Sequence, residues 1–124
     1  MRTFNSYVFA SLMAFAPALD AASADQPVAE IVTFRLADGT DTAEFVDAAL
    51  GMTGFLESTG AVLSRSLSRD ENGLWTDYIV WRSMAAAKAA ASDMPQQPEA
   101  ADFMAPIVAE SVNLRHARIL MSQE

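Results

Sequence analysis

From Pro27 to Leu36 the chain reads PVAEIVTFRL, rich in β-branched residues and closed by the turn cluster Ala37-Asp38-Gly39, which predicts a strand. Asp41 then opens a helix. Glu44 stands three residues further on, the form of a capping box, and both acids lie where the helix dipole favours negative charge. Phe45, Ala49, Met52 and Leu56 follow at spacings of 4, 3 and 4, an apolar stripe on one face of a helix that reaches Ser58 before Gly60 ends it. Gly51 and Gly54 lie inside this stretch, each costing about 1 kcal/mol relative to alanine, and predict a close approach to a sheet or a bend.

Ala61 to Arg69 alternates with a period of two and predicts a second strand, followed by the hairpin signal Asn72-Gly73. Leu74 to Arg82 (LWTDYIVWR) returns as a strand that is bulky on both faces and so belongs inside a sheet. Ser83 caps an alanine-rich helix to about Met94, where Pro95 and Pro98 break it. A short helical piece from Glu99 stops near Pro106. Val108 to Met121 is the last predicted strand, with Val112, Leu114, His116 and Leu120 on one parity.

The order strand, helix, strand, strand, helix, strand predicts an α+β fold, a ferredoxin-like split βαβ sandwich (βαββαβ) with its helices on one face of an antiparallel sheet. In the third strand Trp75, Ile79 and Trp81 point one way while Leu74, Tyr78 and Val80 point the other. A small domain with apolar groups on both faces of its sheet is expected to pair with a second copy, so a homodimer is predicted.

The first residues differ from the rest. Met1-Arg2 gives a positive start, Tyr7 to Leu19 is an apolar run of 13 residues, and Ala22-Ser23-Ala24 precedes Asp25, the pattern of a signal peptide over residues 1–24 with the domain at 25–124. Thirteen helical residues rise about 20 Å, short of a hydrocarbon core of roughly 30 Å, so export to the periplasm with cleavage is expected and no stable membrane insertion afterwards. The absence of cysteine removes disulfides, zinc knuckles and a lipoprotein anchor. With 16 Asp and Glu against 8 Lys and Arg, the chain carries −8, and its scattered cations argue against nucleic acid.

EIVTFRL in the first strand, SRSLSRDENGLWTDYIVWRS across the hairpin, the helix beginning Met84-Ala85-Ala86-Ala87, Pro98 to Phe103 and the closing RHARIL resemble the antibiotic biosynthesis monooxygenase-like group, the dimeric α+β barrels. The resemblance spans residues 27–121. It implies two sheets packed face to face in a homodimer, with each ligand cavity between helices and sheet. It does not fix a reaction, since the superfamily includes cofactor-independent oxygenases, haem-degrading enzymes and isomerases. The haem-degrading branch would call for Asn in the first strand, which here reads Glu30-Ile31-Val32-Thr33-Phe34, and for a His between Ser83 and Pro106, where there is none. For the polyketide-oxidising branch, Trp75, Trp81, Asn113 and Arg115 are residues of the right types. The resemblance therefore implies no cofactor, and two functions stay open: a non-catalytic binder of a small aromatic or apolar ligand, and a cofactor-independent monooxygenase acting on an aromatic or polyphenolic molecule.

His116 is the one side chain whose ordinary pKa lies near neutrality, and thus the ready proton carrier; the plainer reading is a hydrogen-bonded structural histidine. Asp77 is an unusual acid for a central strand, because a buried carboxylate must be paired or protonated. His116 and Asp77 are the candidate catalytic residues, and Trp75, Trp81 and Phe103 the candidate pocket walls; the plainer reading makes the tryptophans ordinary core. The hairpin register leaves two arrangements open. A two-residue turn sets Ser68 opposite Asp77 and favours a ligand site, whereas one extra residue sets Leu67 there, with Arg65 within diagonal reach and a structural ion pair as the result. No metal site is expected, since one His with Met84, Met94 and Met104 spread along the chain is poor material even for copper(I). Phosphate loops, nucleophile elbows and HExxH sequences are absent.

Overall fold

The computed structural model describes residues 26–124, so the predicted signal peptide lies outside the described residues. The chain forms β1 (Val28–Phe34), α1 (Thr42–Leu50), α2 (Thr53–Ser58), β2 (Val62–Arg69), β3 (Trp75–Trp81), α3 (Met84–Asp93), α4 (Pro98–Met104) and β4 (Asn113–Arg118). The strands make one antiparallel sheet in the order β2-β3-β1-β4. This is the predicted ferredoxin-like arrangement, with β3 and β1 inside.

Period-two alternation decides what each strand buries. Val28, Phe34, Trp75, Ile79 and Trp81 face the helices and join Phe45, Ala49, Met52, Leu56, Ala87, Ala90, Ala100 and Phe103 in one core. Burial of each large apolar side chain contributes about 1.5 to 3 kcal/mol. The alanines of α3 and α4 bring the helix backbones close, and Phe45 fills the centre. Its ring meets Phe34 and Trp75 edge-on at 5.8 and 4.9 Å and stacks on Phe103 at 5.5 Å. The caps form as the sequence predicts: Asp41 accepts from the Glu44 N–H and Ser83 from that of Ala86.

The structure corrects two boundaries and decides the hairpin register. The helix expected from Asp41 to Ser58 is two helices, because the chain tightens at Gly51 and Met52, where the Met52 N–H reaches back three residues to Ala49. A Cβ on Gly51 would stand 3.1 Å from the Ala48 carbonyl oxygen, so this turn favours glycine. It keeps Met52 pointed into the core at 2% exposure. The hairpin takes the longer register: the Asp70 N–H bonds Leu74, Leu67 faces Asp77, and Gly73 holds φ +83° in the turn. A bulge at Leu63 separates the pairs Val62–Trp81 and Ser64–Val80. The last strand is shorter than residues 108–121. Val108 and Ser111 are tied to the backbone of Arg35 by a short turn, and the ladder begins only at Asn113. Past Arg118, β1 offers only the carbonyl of Pro27, so the tail leaves the sheet and Leu120 stays exposed.

Among the described residues no helix covers the other face of the sheet. There Ala29, Ile31, Tyr78 and Ala117 join the tail from Ile119 to Met121 along a groove of about 350 Å³. The β2 edge of that face carries Ser64, Ser66 and Ser68 beside Val80, Tyr78 and Thr76.

Candidate functional site

Between helices and sheet lies a cavity of about 260 Å³. Its floor is Val32, Phe34, Asp77 and Ile79 of the sheet with Arg65 at one side; Met52, Leu56, Met94, Phe103 and Met104 roof it, and Ile107, Val112 and Leu114 close the β4 side. The three methionines, Met52 from the turn between α1 and α2, Met94 just past the end of α3 and Met104 from the end of α4, are far apart in sequence. Such flexible, polarizable side chains suit a wall that must adapt to its contents. A wider groove of about 720 Å³ between α1 and α4 is lined by Glu44, Asp47, Glu99 and Asp102, but it is open to solvent and has no lining cation.

Among the described residues of the cavity wall the charged groups are Arg65 and Asp77, and they hold each other. Arg65 donates from Nε to Oδ1 of Asp77 at 3.0 Å and from Nη2 to Oδ2 at 2.8 Å, and its Nη1 donates to the Ala49 carbonyl at 2.8 Å. The side chains are 16% and 7% exposed. The guanidinium also lies 5.6 Å from the centre of the Phe103 ring. Breaking one member of such a buried pair strands the other's charge at a cost of about 3 to 5 kcal/mol. A guanidinium has five N–H donors, of which three are engaged here.

His116 has a different partner from the one its chemistry suggests. It stands opposite Glu30 on β1, with Nε2 2.9 Å from Oε2, a separation at which an imidazole N–H donates to a carboxylate. Glu30 is 8% exposed, and its burial is explained by this contact. Asp77 and His116 do not meet, since β1 lies between their strands. The sheet thus carries one transverse row facing the helices, Arg65, Ile79, Glu30 and His116, which crosses β2, β3, β1 and β4 in turn.

Of the other candidates, Phe103 lines the cavity; Trp75 and Trp81 do not. Trp75 packs on Phe45 and under the Arg69 guanidinium at 5.4 Å. Trp81 is 1% exposed, and its Nε1 has no hydrogen-bond partner. Asn113 and Arg115 point to the uncovered face, across from Thr33 and Ile31. Glu30 went unread in the sequence, although it shares parity with Val28, Val32 and Phe34 and so had to point inward. Among the described residues no cluster of three His, Cys, Asp or Glu is arranged to hold a metal, and no helix is long and apolar enough to cross a membrane.

No family model matches the chain, and no curated protein matches it. Solved structures do. A variant of SnoaB, a cofactor-independent oxygenase from Streptomyces nogalater, is 17% identical with a TM-score of 0.59, over 80% of this chain and 96% of its own. A Bordetella bronchiseptica protein named for antibiotic biosynthesis monooxygenases is 13% identical with a TM-score of 0.66, over 77% of this chain and 99% of its own. The hydroxynitrile lyase of Passiflora edulis is 13% identical with a TM-score of 0.60, over 81% and 99%. Residues 26–124 therefore have the ferredoxin-like α+β fold of the antibiotic biosynthesis monooxygenase-like proteins, as the resemblance in the sequence implies, and a lyase shares it.

Proposed function

We propose that this chain is an exported, homodimeric protein that binds a small apolar or aromatic molecule in the cavity between its helices and sheet. The observation that carries the reading is the composition of that cavity, a methionine- and aromatic-lined space whose two charged groups are already paired with each other. Ligand sites are typically apolar with a few convergent polar groups, and this wall has that make-up. Dimerisation joins the uncovered sheet faces, where Ile31, Tyr78 and Val80 lie; it is supported by apolar groups that no helix covers. Export with cleavage after Ala24 rests on the N-terminal sequence, and N-terminal sequencing of the periplasmic form is its check.

The experiment is calorimetric titration with tetralin, a two-ring hydrocarbon. Binding is expected in the parent protein and is abolished by Met104→Trp, which fills the cavity from its half-exposed rim. Absence of binding, or binding untouched by this variant, overturns the reading. Light scattering at micromolar protein is expected to give twice the chain mass, and a stable monomer removes the dimer.

A second reading is a cofactor-independent monooxygenase acting on an aromatic or polyphenolic molecule, favoured by the fold shared with SnoaB. The lyase on the same fold weakens it. Oxygen uptake with anthrones and quinols, lost in the same Met104→Trp variant, separates catalysis from binding.

A further inference from the structure

The cavity runs across the sheet and has two unlike ends. Its floor follows one register row, Asp77 on β3, Val32 on β1 and Leu114 on β4, with Arg65 at the β2 edge. The order β2-β3-β1-β4 puts three strand spacings, about 14 Å, between the strand of Arg65 and that of Leu114. At the β4 end Met104, Val112 and Leu114 are 47%, 44% and 50% exposed, so this end is the mouth. At the β2 end Leu56 is only 8% exposed and Arg65 is held by Asp77 and the Ala49 carbonyl, so this end is blind. Its wall is thin. A second space of about 390 Å³ lies beyond it, between α2 and the start of β2, and reaches solvent at Thr53, Glu57 and Gly60. Among the described residues, Leu56 and Arg65 line both spaces. Three hydrogen bonds fix the Arg65 guanidinium, whereas apolar packing alone holds the Leu56 side chain.

We propose that Leu56 is a specificity residue, an end stop that limits the ligand to about two fused rings lying across the strands. The proposal rests on the cavity reading above and adds the size class of the ligand and the residue that sets it. An apolar cavity of about 150 Å³ takes one benzene ring. The 260 Å³ here therefore suits two rings that share an edge. A third ring in line with them has no room beyond Leu56 and stays in water at the mouth, where it gains no burial. With Leu56 shortened the two spaces join, and the same ring is buried.

Two probes that differ by one fused ring, 2-naphthol and 2-anthrol, test this through their own fluorescence. The parent protein is expected to bind them with affinities within about twofold of each other, although burial of the extra ring would favour 2-anthrol by about tenfold. Leu56→Ala is expected to bind 2-anthrol about tenfold more tightly than 2-naphthol, the gain that this burial supplies. Leu56→Val, which removes less and guards against a variant that does not fold, is expected to show a smaller gain in the same direction. Val32→Ala deepens the floor without lengthening the cavity and is expected to keep the parental ratio. A parent that already prefers 2-anthrol about tenfold, folded Leu56 variants with an unchanged ratio, or a Val32→Ala ratio that rises as far as that of Leu56→Ala overturns the end stop and leaves the apolar cavity standing. Failure of both 2-naphthol and tetralin to bind the parent overturns the cavity reading, and this inference falls with it.

Discussion

The two carboxylates on the helix-covered face of the sheet are buried to similar degrees but are held in different ways. Asp77 sits on an inner strand against the Arg65 guanidinium, joined by two parallel hydrogen bonds and backed by Ala49 and Phe103. Glu30 also sits on an inner strand, but its partner is on the edge strand and is an imidazole, joined through one contact. The first is a closed device that fixes hairpin and helix together. The second is a single contact that ties the inner strand to the edge strand. Burial alone thus does not tell how firmly an acid is held; the number of partners its oxygens have does.

The difference can be broken from its strong side first. Arg65→Met is expected to destabilise the protein by about 3 to 5 kcal/mol, read from urea unfolding, because Asp77 is left buried with no counterion. Adding Asp77→Leu to Arg65→Met is expected to recover most of that loss; if the double variant is as unstable as the single, the cost is one of packing and not of charge. Glu30→Gln is expected to cost less, about 1 to 3 kcal/mol, since a neutral amide can still bond the imidazole and one contact is at stake. Gly73→Ala is expected to cost about 1 to 2 kcal/mol, through the positive φ that the turn requires. That variant also asks whether the turn sets the register, and a change in the Arg65 to Asp77 coupling measured by double-mutant cycle would show that it does.

Much of this architecture was written in local pattern. Parity alone put Trp75, Asp77, Ile79 and Trp81 on one side of β3, and the structure buries all four. Parity could not say whether an inward side chain meets a packed helix or a void, because that depends on where the helices rest. Phe45 covers Trp75, while the space beside Asp77 is roofed by methionines from distant segments. The pairing of His116 was more accessible than it seemed. A ferredoxin-like order already sets the first strand between the third and fourth, which separates His116 from Asp77 and makes Glu30 its neighbour. The hairpin register was not accessible, for Asn72-Gly73 fits a two-residue turn as well as the longer one, and the energy of closing Arg65 onto Asp77 is a long-range term.

The bulge at Leu63 has a meaning for the history and the engineering of this chain. Val62 and Arg65 both face the helices although they stand three positions apart, which a regular strand forbids, and half-exposed Leu63 absorbs the mismatch. Deleting Leu63 would restore plain alternation from Val62 through Arg69 without sliding any residue past its partner on β3. The strand therefore carries a built-in tolerance to a change in length of one codon, placed between the start of β2 and the arginine that pairs with Asp77. A deletion accepted here would leave Arg65 where it is, whereas the same change within the regular ladder between Arg65 and Arg69 would turn the side chains on one side of it to the wrong face.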